Sequence, residues 1–252
     1  MTSAAPSLNA YKHLRAGTPA ALSLLERPKQ SLANGAVRNF IDWLGRAIAT
    51  SHFPVGSTLP MENELGERVG VSRTVIREAV KILTDKGVLK TARRYGTVVN
   101  ALESWNLLDA DIISWHEPGD ADTPLIFREL VELLSMILPQ AARAASGRLP
   151  PHANDLAELA LTALQYHRAS IEYRVKAEYT LWWQILTAPQ SGIFAQFKGL
   201  TYEMLRLTYG LNDRHEAMDA TYRSLIQSVG KNDSDEVDLC CRLILKRSKN
   251  IF

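Results

Sequence analysis

Two arginines four residues apart, Arg73 and Arg77, follow Ser72 in the run Val71-Ser72-Arg73-Thr74-Val75-Ile76-Arg77. On a helix, positions i and i+4 share a face, so both guanidinium groups would point the same way. A guanidinium is a planar fork of donors that fits two acceptors at once, such as a carboxylate, a phosphate or the O6/N7 edge of guanine. The Ser72 hydroxyl suits a helix N-cap or a phosphate oxygen, and a helix N-terminus favours an anion. A second basic group, Arg93-Arg94-Tyr95-Gly96, sits in a glycine-containing turn. This is chemistry for holding a polyanion and reading it with two arginines. An isolated arginine pair would equally be solvated surface charge, so the surrounding elements must decide.

Those elements are legible. Val37, Phe40, Ile41, Leu44 and Ile48 recur at helical spacing from about Ala36, and Pro54 and Gly56 break that helix. Leu59-Pro60 is expected to open a second helix, Pro60 tolerated in its first turn, with Gly70 ending it. Ser72 is expected to cap a third helix reaching Asp85, with Val75, Ile76, Ala79, Val80 and Leu83 facing inward and Gly87 closing it. Two strand-like runs, Val88 to Ala92 and Thr97 to Asn100, flank the basic turn as a hairpin. Helix, helix, turn, helix and basic hairpin is the order of a winged helix-turn-helix, in which the front of the second motif helix meets base edges.

The charge is divided accordingly. Residues 1–100 hold 14 Lys or Arg against 7 Asp or Glu, a net +7, and the remainder holds 15 against 20, a net −5. A basic first part and an acidic second part imply that only the first meets a polyanion. Residues 1–30 read as a mobile tail without the apolar core of a secretion signal. Residues 101–122, with Trp105, Ile112, Ile113 and Trp115, read as a linker. From 123 onward only helical patterns appear, over 124–147, 152–169, 171–188, 190–210, 213–230 and 233–249. The expected fold class is therefore mostly α: a winged helix-turn-helix at 31–100, then an all-helical bundle at 123–252.

No run of 18 apolar residues is present, so no membrane span is expected. Cys240 and Cys241 are adjacent on one expected helix, about 100° apart, which disfavours a disulfide between them. They read as small buried apolar residues in a cytoplasmic protein. The helical part carries no G-x-S-x-G, phosphate loop or metal-type histidine pair, so no enzyme activity is expected. His152, His167 and His215 lack metal-site spacing.

The run Leu59-Pro60-Met61-Glu62-Asn63-Glu64-Leu65, then Gly70 to Val80, Leu83 and Gly87, closely resembles the DNA-binding domain of the GntR family of bacterial regulators, with Gly96 of the wing in register. The resemblance implies DNA contacts from Asn63, Ser72, Arg73, Thr74, Arg77, Arg93, Arg94, Tyr95 and Gly96. Members often carry arginine where Asn63 stands and Ser or Ala where Met61 stands, so one charged contact is lost.

Residues 102–249 resemble the FCD effector domain of the FadR-like branch, and the connector from Trp105 to Trp115 looks most like members controlling sugar-acid catabolism. The resemblance implies a cytoplasmic homodimer, a repressor binding a near-palindromic operator in double-stranded DNA and released by a small metabolite. Many such domains hold a divalent metal through one Asp and three His. By register these fall on Glu178, Trp182, Tyr222 and Ile244, and a frequent arginine falls on Leu134. An indole, a phenol and an alkyl group are not usual ligands, so no metal is expected. Two readings stay open. Leu134, Leu138, Glu178, Trp182, Tyr222 and Ile244 line an effector pocket for a sugar acid or a more apolar carboxylate, or they fill the core of a ligand-free dimerisation module in a constitutive DNA-binding protein.

Overall fold

The computed structural model describes residues 35–92, 96–151, 153–164, 170–189, 191–211 and 218–251. The expected tail at 1–30, the wing residues Arg93, Arg94 and Tyr95, and His152, His167 and His215 lie outside these. The chain divides into two compact units, Lys29–Ile126 and a second holding Phe127–Phe252.

The first unit opens with α1 (Ala36–Ala49), α2 (Glu62–Val69) and α3 (Arg73–Asp85). A two-stranded antiparallel hairpin follows, β1 (Leu89–Ala92) with β2 (Gly96–Val99), Leu89 opposite Val99. Phe40, Ile41, Leu44 and Ile48 of α1 meet Leu65 of α2 and Ile76, Ala79 and Leu83 of α3 in one apolar core. Each helix buries the stripe its spacing dictates, and Val37, Val75 and Val80 pack at the edge of that core. Gly70 ends α2 in the left-handed conformation at φ 72°, where a side chain would be strained.

The second helix starts later than the sequence suggests. Leu59 is extended and donates its N–H to Thr97 O at 2.8 Å, beside a Thr58–Val98 bridge. Pairing with the wing holds Leu59-Pro60 out of the helix, and Met61 is the N-cap.

The segment expected as a linker packs on this unit. Trp105, Ile112 and Trp115 belong to the same core. A 3-10 turn (Leu102–Ser104) and a short helix α4 (Ala110–Ser114) carry them. The indole of Trp115 lies so close to α1 that a Cβ on Gly45 would stand 2.3 Å from it.

The remaining elements are α5 (Thr123–Ala145), α6 (Ala153–Leu164), α7 (Ile171–Thr187), α8 (Gly192–Gln196), α9 (Lys198–Leu211), α10 (Asp219–Lys231) and α11 (Ser234–Lys249). Helix α7 packs on α6 and α9, and α10 on α6 and α11. The single helix expected over 190–210 is two. The Phe197 N–H closes on Phe194 O, an i to i−3 bond that tightens and ends α8 before α9 begins. Cys240 and Cys241 are free and buried.

Candidate nucleic-acid interface and the Glu178 cluster

Helix α3 presents two unlike faces. Ile76, Ala79 and Leu83 are fully buried, whereas Ser72, Arg73, Thr74 and Arg77 are exposed at its N-terminal end. Ser72 is the N-cap, and its Oγ accepts from Val75 N at 3.4 Å. The apolar stripe anchors the helix, leaving the opposite face to solvent. Among the described residues, neither Arg73 nor Arg77 takes part in an ion pair. Lys81, one further turn along, is exposed too. Arg73, Arg77 and Lys81 thus form a basic line at four-residue spacing, which suits a phosphate backbone and a groove wall.

Asn63 is exposed on the first turn of α2. Gly96 begins β2 at φ 79°, and a Cβ there would lie 3.4 Å from the Thr58 methyl. Its positive φ is one that glycine adopts without strain.

The second unit contains a closed polar cluster. Glu178 (α7) is completely buried. Arg247 (α11) donates from Nη2 to Glu178 Oε1 at 2.6 Å and to Oε2 at 2.8 Å. Tyr209 (α9) donates to Oε2 at 2.7 Å, and Tyr222 (α10) donates to Oε1. Trp182 (α7) donates from Nε1 to Tyr222 Oη at 3.0 Å, their rings edge to face. The Arg247 guanidinium also lies over the Tyr209 ring at 5.2 Å. Burial, then the charge of Glu178, pushes both phenols well above their ordinary pKa. Leu134, Leu138 and Ile244 are buried as well.

Residues 38–99 match the profile of the bacterial regulatory proteins of the gntR family. They are a GntR-family DNA-binding domain. The chain is a DNA-binding transcription regulator. YieP, an HTH-type transcriptional regulator of Escherichia coli K12, is 28% identical over 81% of this chain and 89% of its own length. The galactonate operon transcriptional repressor of the same organism is 34% identical over 46% of this chain and 49% of that protein. The solved structure of Lar, which controls expression of the Listeria monocytogenes agr system, superposes with a TM-score of 0.55 at 14% identity, covering 88% of this chain and 98% of that one. That likeness shows a shared fold.

In GntR terms, the predicted DNA-contacting residues that fall in the described segments all lie at exposed positions of the helix-turn-helix and wing. Lys81 was not singled out in the sequence, although its spacing from Arg77 repeats that of Arg77 from Arg73.

The Glu178 cluster differs in chemistry from the one Asp and three His through which the resemblance implies a metal. Of the four register positions, three converge: Glu178, Trp182 and Tyr222 share one hydrogen-bonded cluster. Both Glu178 oxygens already accept from Arg247 and from a tyrosine, and an indole N–H and a phenol offer no ordinary ligand set. Among the described residues, no group of three His, Cys, Asp or Glu is placed to hold a metal ion. Arg247 and Tyr209 escaped the sequence reading. Arg247 had a signal: it stands three residues after Ile244, so it shares that inward face, and a carboxylate buried at Glu178 requires a cation. No helix of the described residues is long and apolar enough to cross a membrane.

Proposed function

We propose that this regulator is a cytoplasmic, operator-binding repressor that acts as a homodimer, with an FCD-like helical unit that dimerises and senses a small metabolite. The observation carrying the proposal is the two-faced α3, with Ile76, Ala79 and Leu83 buried and Arg73 and Arg77 exposed without ion-pair partners among the described residues. Placed in the major groove, each arginine can take guanine O6 and N7, worth about 1–3 kcal/mol against a wrong base. Asn63, Ser72 and Thr74, together with the wing residues Arg93, Arg94, Tyr95 and Gly96, would hold the backbone and adjacent groove. A dimer presents two such helices about 34 Å apart, which calls for a near-palindromic site. The function is binding rather than catalysis, in keeping with relatives that are transcriptional regulators.

The sensing site is proposed at the Glu178 cluster, and it works without a metal because Arg247 already supplies the cation. Its walls would be Leu134, Leu138, Trp182, Tyr222 and Ile244. Arg247 Nε is buried without a partner among the described residues and would meet an acceptor oxygen of the ligand, in keeping with a sugar acid or a more apolar carboxylate. A second reading is favoured by one observation: Trp182 and Tyr222 are wholly buried against each other. On that reading the unit is a filled dimerisation core and DNA binding is constitutive. A thermal-shift screen of organic acids separates the two, since a ligand of the folded state raises Tm by mass action. Stabilisation that is lost in Arg247→Met supports the sensor, and no stabilisation by any acid supports the constitutive dimer.

The test of the DNA reading is selection from a random duplex pool with the full chain, followed by gel retardation. Enrichment of a near-palindromic site is the expected result. A pool that stays random would overturn it.

A further inference from the structure

The recognition helix is gripped at the end away from its arginines. Lys86 is the C-cap of α3. Its Nζ donates to Asp109 and, at 3.1 Å, to Asp111 Oδ2. Its carbonyl accepts from Asn106 N at 2.9 Å. The other oxygen of Asp111 accepts from Arg38 Nη2 of α1 at 2.8 Å. Arg38 Nε in turn holds Asp42 at 2.8 Å, and Asp42 accepts from the Trp115 indole at 3.2 Å. Asp109 also accepts the Asp111 N–H, capping α4. The buried carboxylate of Asp111 therefore bridges α1 and the end of α3, and it is mounted on α4.

Helical shape turns this grip into leverage. From Lys86 to Arg73 a helix rises about 20 Å, at about 1.5 Å per residue. A small tilt at the gripped end therefore moves the arginine fork off a base edge. Direct readout needs that fork in register, whereas sequence-independent attraction to phosphate does not. The other end of the network is Trp115, wedged against Gly45 of α1, so α1, α3 and α4 are tied at separate points.

We propose that Asp111 is a positioning residue for operator recognition, fixing the angle of α3 through Lys86 and Arg38. This rests on the operator-binding reading above. Asp111 touches no DNA in this scheme, and its loss changes sequence readout rather than attraction to DNA.

The test is fluorescence anisotropy with the full-length chain and two duplexes, one selected by the wild type and one random, for wild type and Asp111→Asn. Coulomb attraction alone predicts that removing a negative charge tightens both. Positioning predicts an operator affinity at least tenfold weaker with random-duplex affinity unchanged or slightly tighter, while cooperative melting persists. A folded Asp111→Asn protein that binds the operator as tightly as wild type, or more tightly, overturns the proposal. If that variant does not fold, Asp109→Asn decides, because it loosens the same grip from its more exposed arm. A smaller selective loss is then expected, and equal operator affinity overturns it. Failure of the wild-type protein to select any duplex is a different result, which removes the operator-binding reading and this inference with it.

Discussion

Arg247 and Glu178, 69 residues apart, meet inside the helical unit with one guanidinium nitrogen bridging both carboxylate oxygens at 2.6 and 2.8 Å. The pair is almost wholly removed from water, the Arg247 side chain 7% exposed and that of Glu178 not at all. Two tyrosines complete the carboxylate's acceptor capacity. A buried charge is tolerable only with such partners, so the arrangement has strong consequences for substitution.

Arg247→Met should cost about 3–5 kcal/mol, because it strands the Glu178 charge. Glu178→Gln should also destabilise. The double variant should lose less than the two single losses added, since neither charge is then left alone. Urea denaturation of the four proteins checks this, and simple additivity would show that the two residues do not act as a pair.

Alkaline pH should attack the same cluster. Burial, followed by the Glu178 charge, raises Tyr209 and Tyr222 above 10.0, the ordinary tyrosine value they regain on unfolding. The folded state therefore holds those protons more tightly, and stability falls as pH rises where the unfolded chain binds fewer. Their contribution is complete below about pH 10 and is lost progressively above it. Melting followed by phenolate absorbance should show Tm dropping past about pH 10, with a shallower drop in Tyr222→Phe.

Cys241 should resist thiol reagents in the native state. Burial, ahead of the neighbouring charges, pushes its thiol up to about 12, and the reactive species is the thiolate. Labelling at neutral pH should appear only in denaturant. Rapid labelling of Cys241 in the folded protein would contradict the burial.

Gly45→Ala should cost about 1–3 kcal/mol, the usual range for overpacking a filled core. The added methyl would overlap the Trp115 indole. Chemical denaturation followed by tryptophan fluorescence measures the loss, and a neutral result would mean that Trp115 is free to move.

Much of the architecture was legible in the residues. The apolar spacing of α1 and α3, the Ser72 cap and the glycine stop at Gly70 all act within a few positions, where sequence carries the physics directly. What was not legible depends on distant partners. Leu59 looks ready to begin a helix until Thr97 takes its N–H. Residues 101–122 read as a linker because nothing local reveals that Trp105 and Trp115 complete a core begun at Phe40 of α1. At the Glu178 cluster, register brought together Glu178, Trp182 and Tyr222, but the partners Arg247 and Tyr209 become visible only when α9 and α11 fold against α7. Lys81 was within reach of simple spacing.

Operator recognition rests on the exposed face of α3. The most direct measurement is the affinity of wild type, Arg73→Ala and Arg77→Ala for the selected duplex and for duplexes mutated at single guanines. Each substitution should weaken the selected site by about 1–3 kcal/mol and make the protein indifferent to the guanine it read. Unchanged affinity and unchanged base preference in both variants would contradict it.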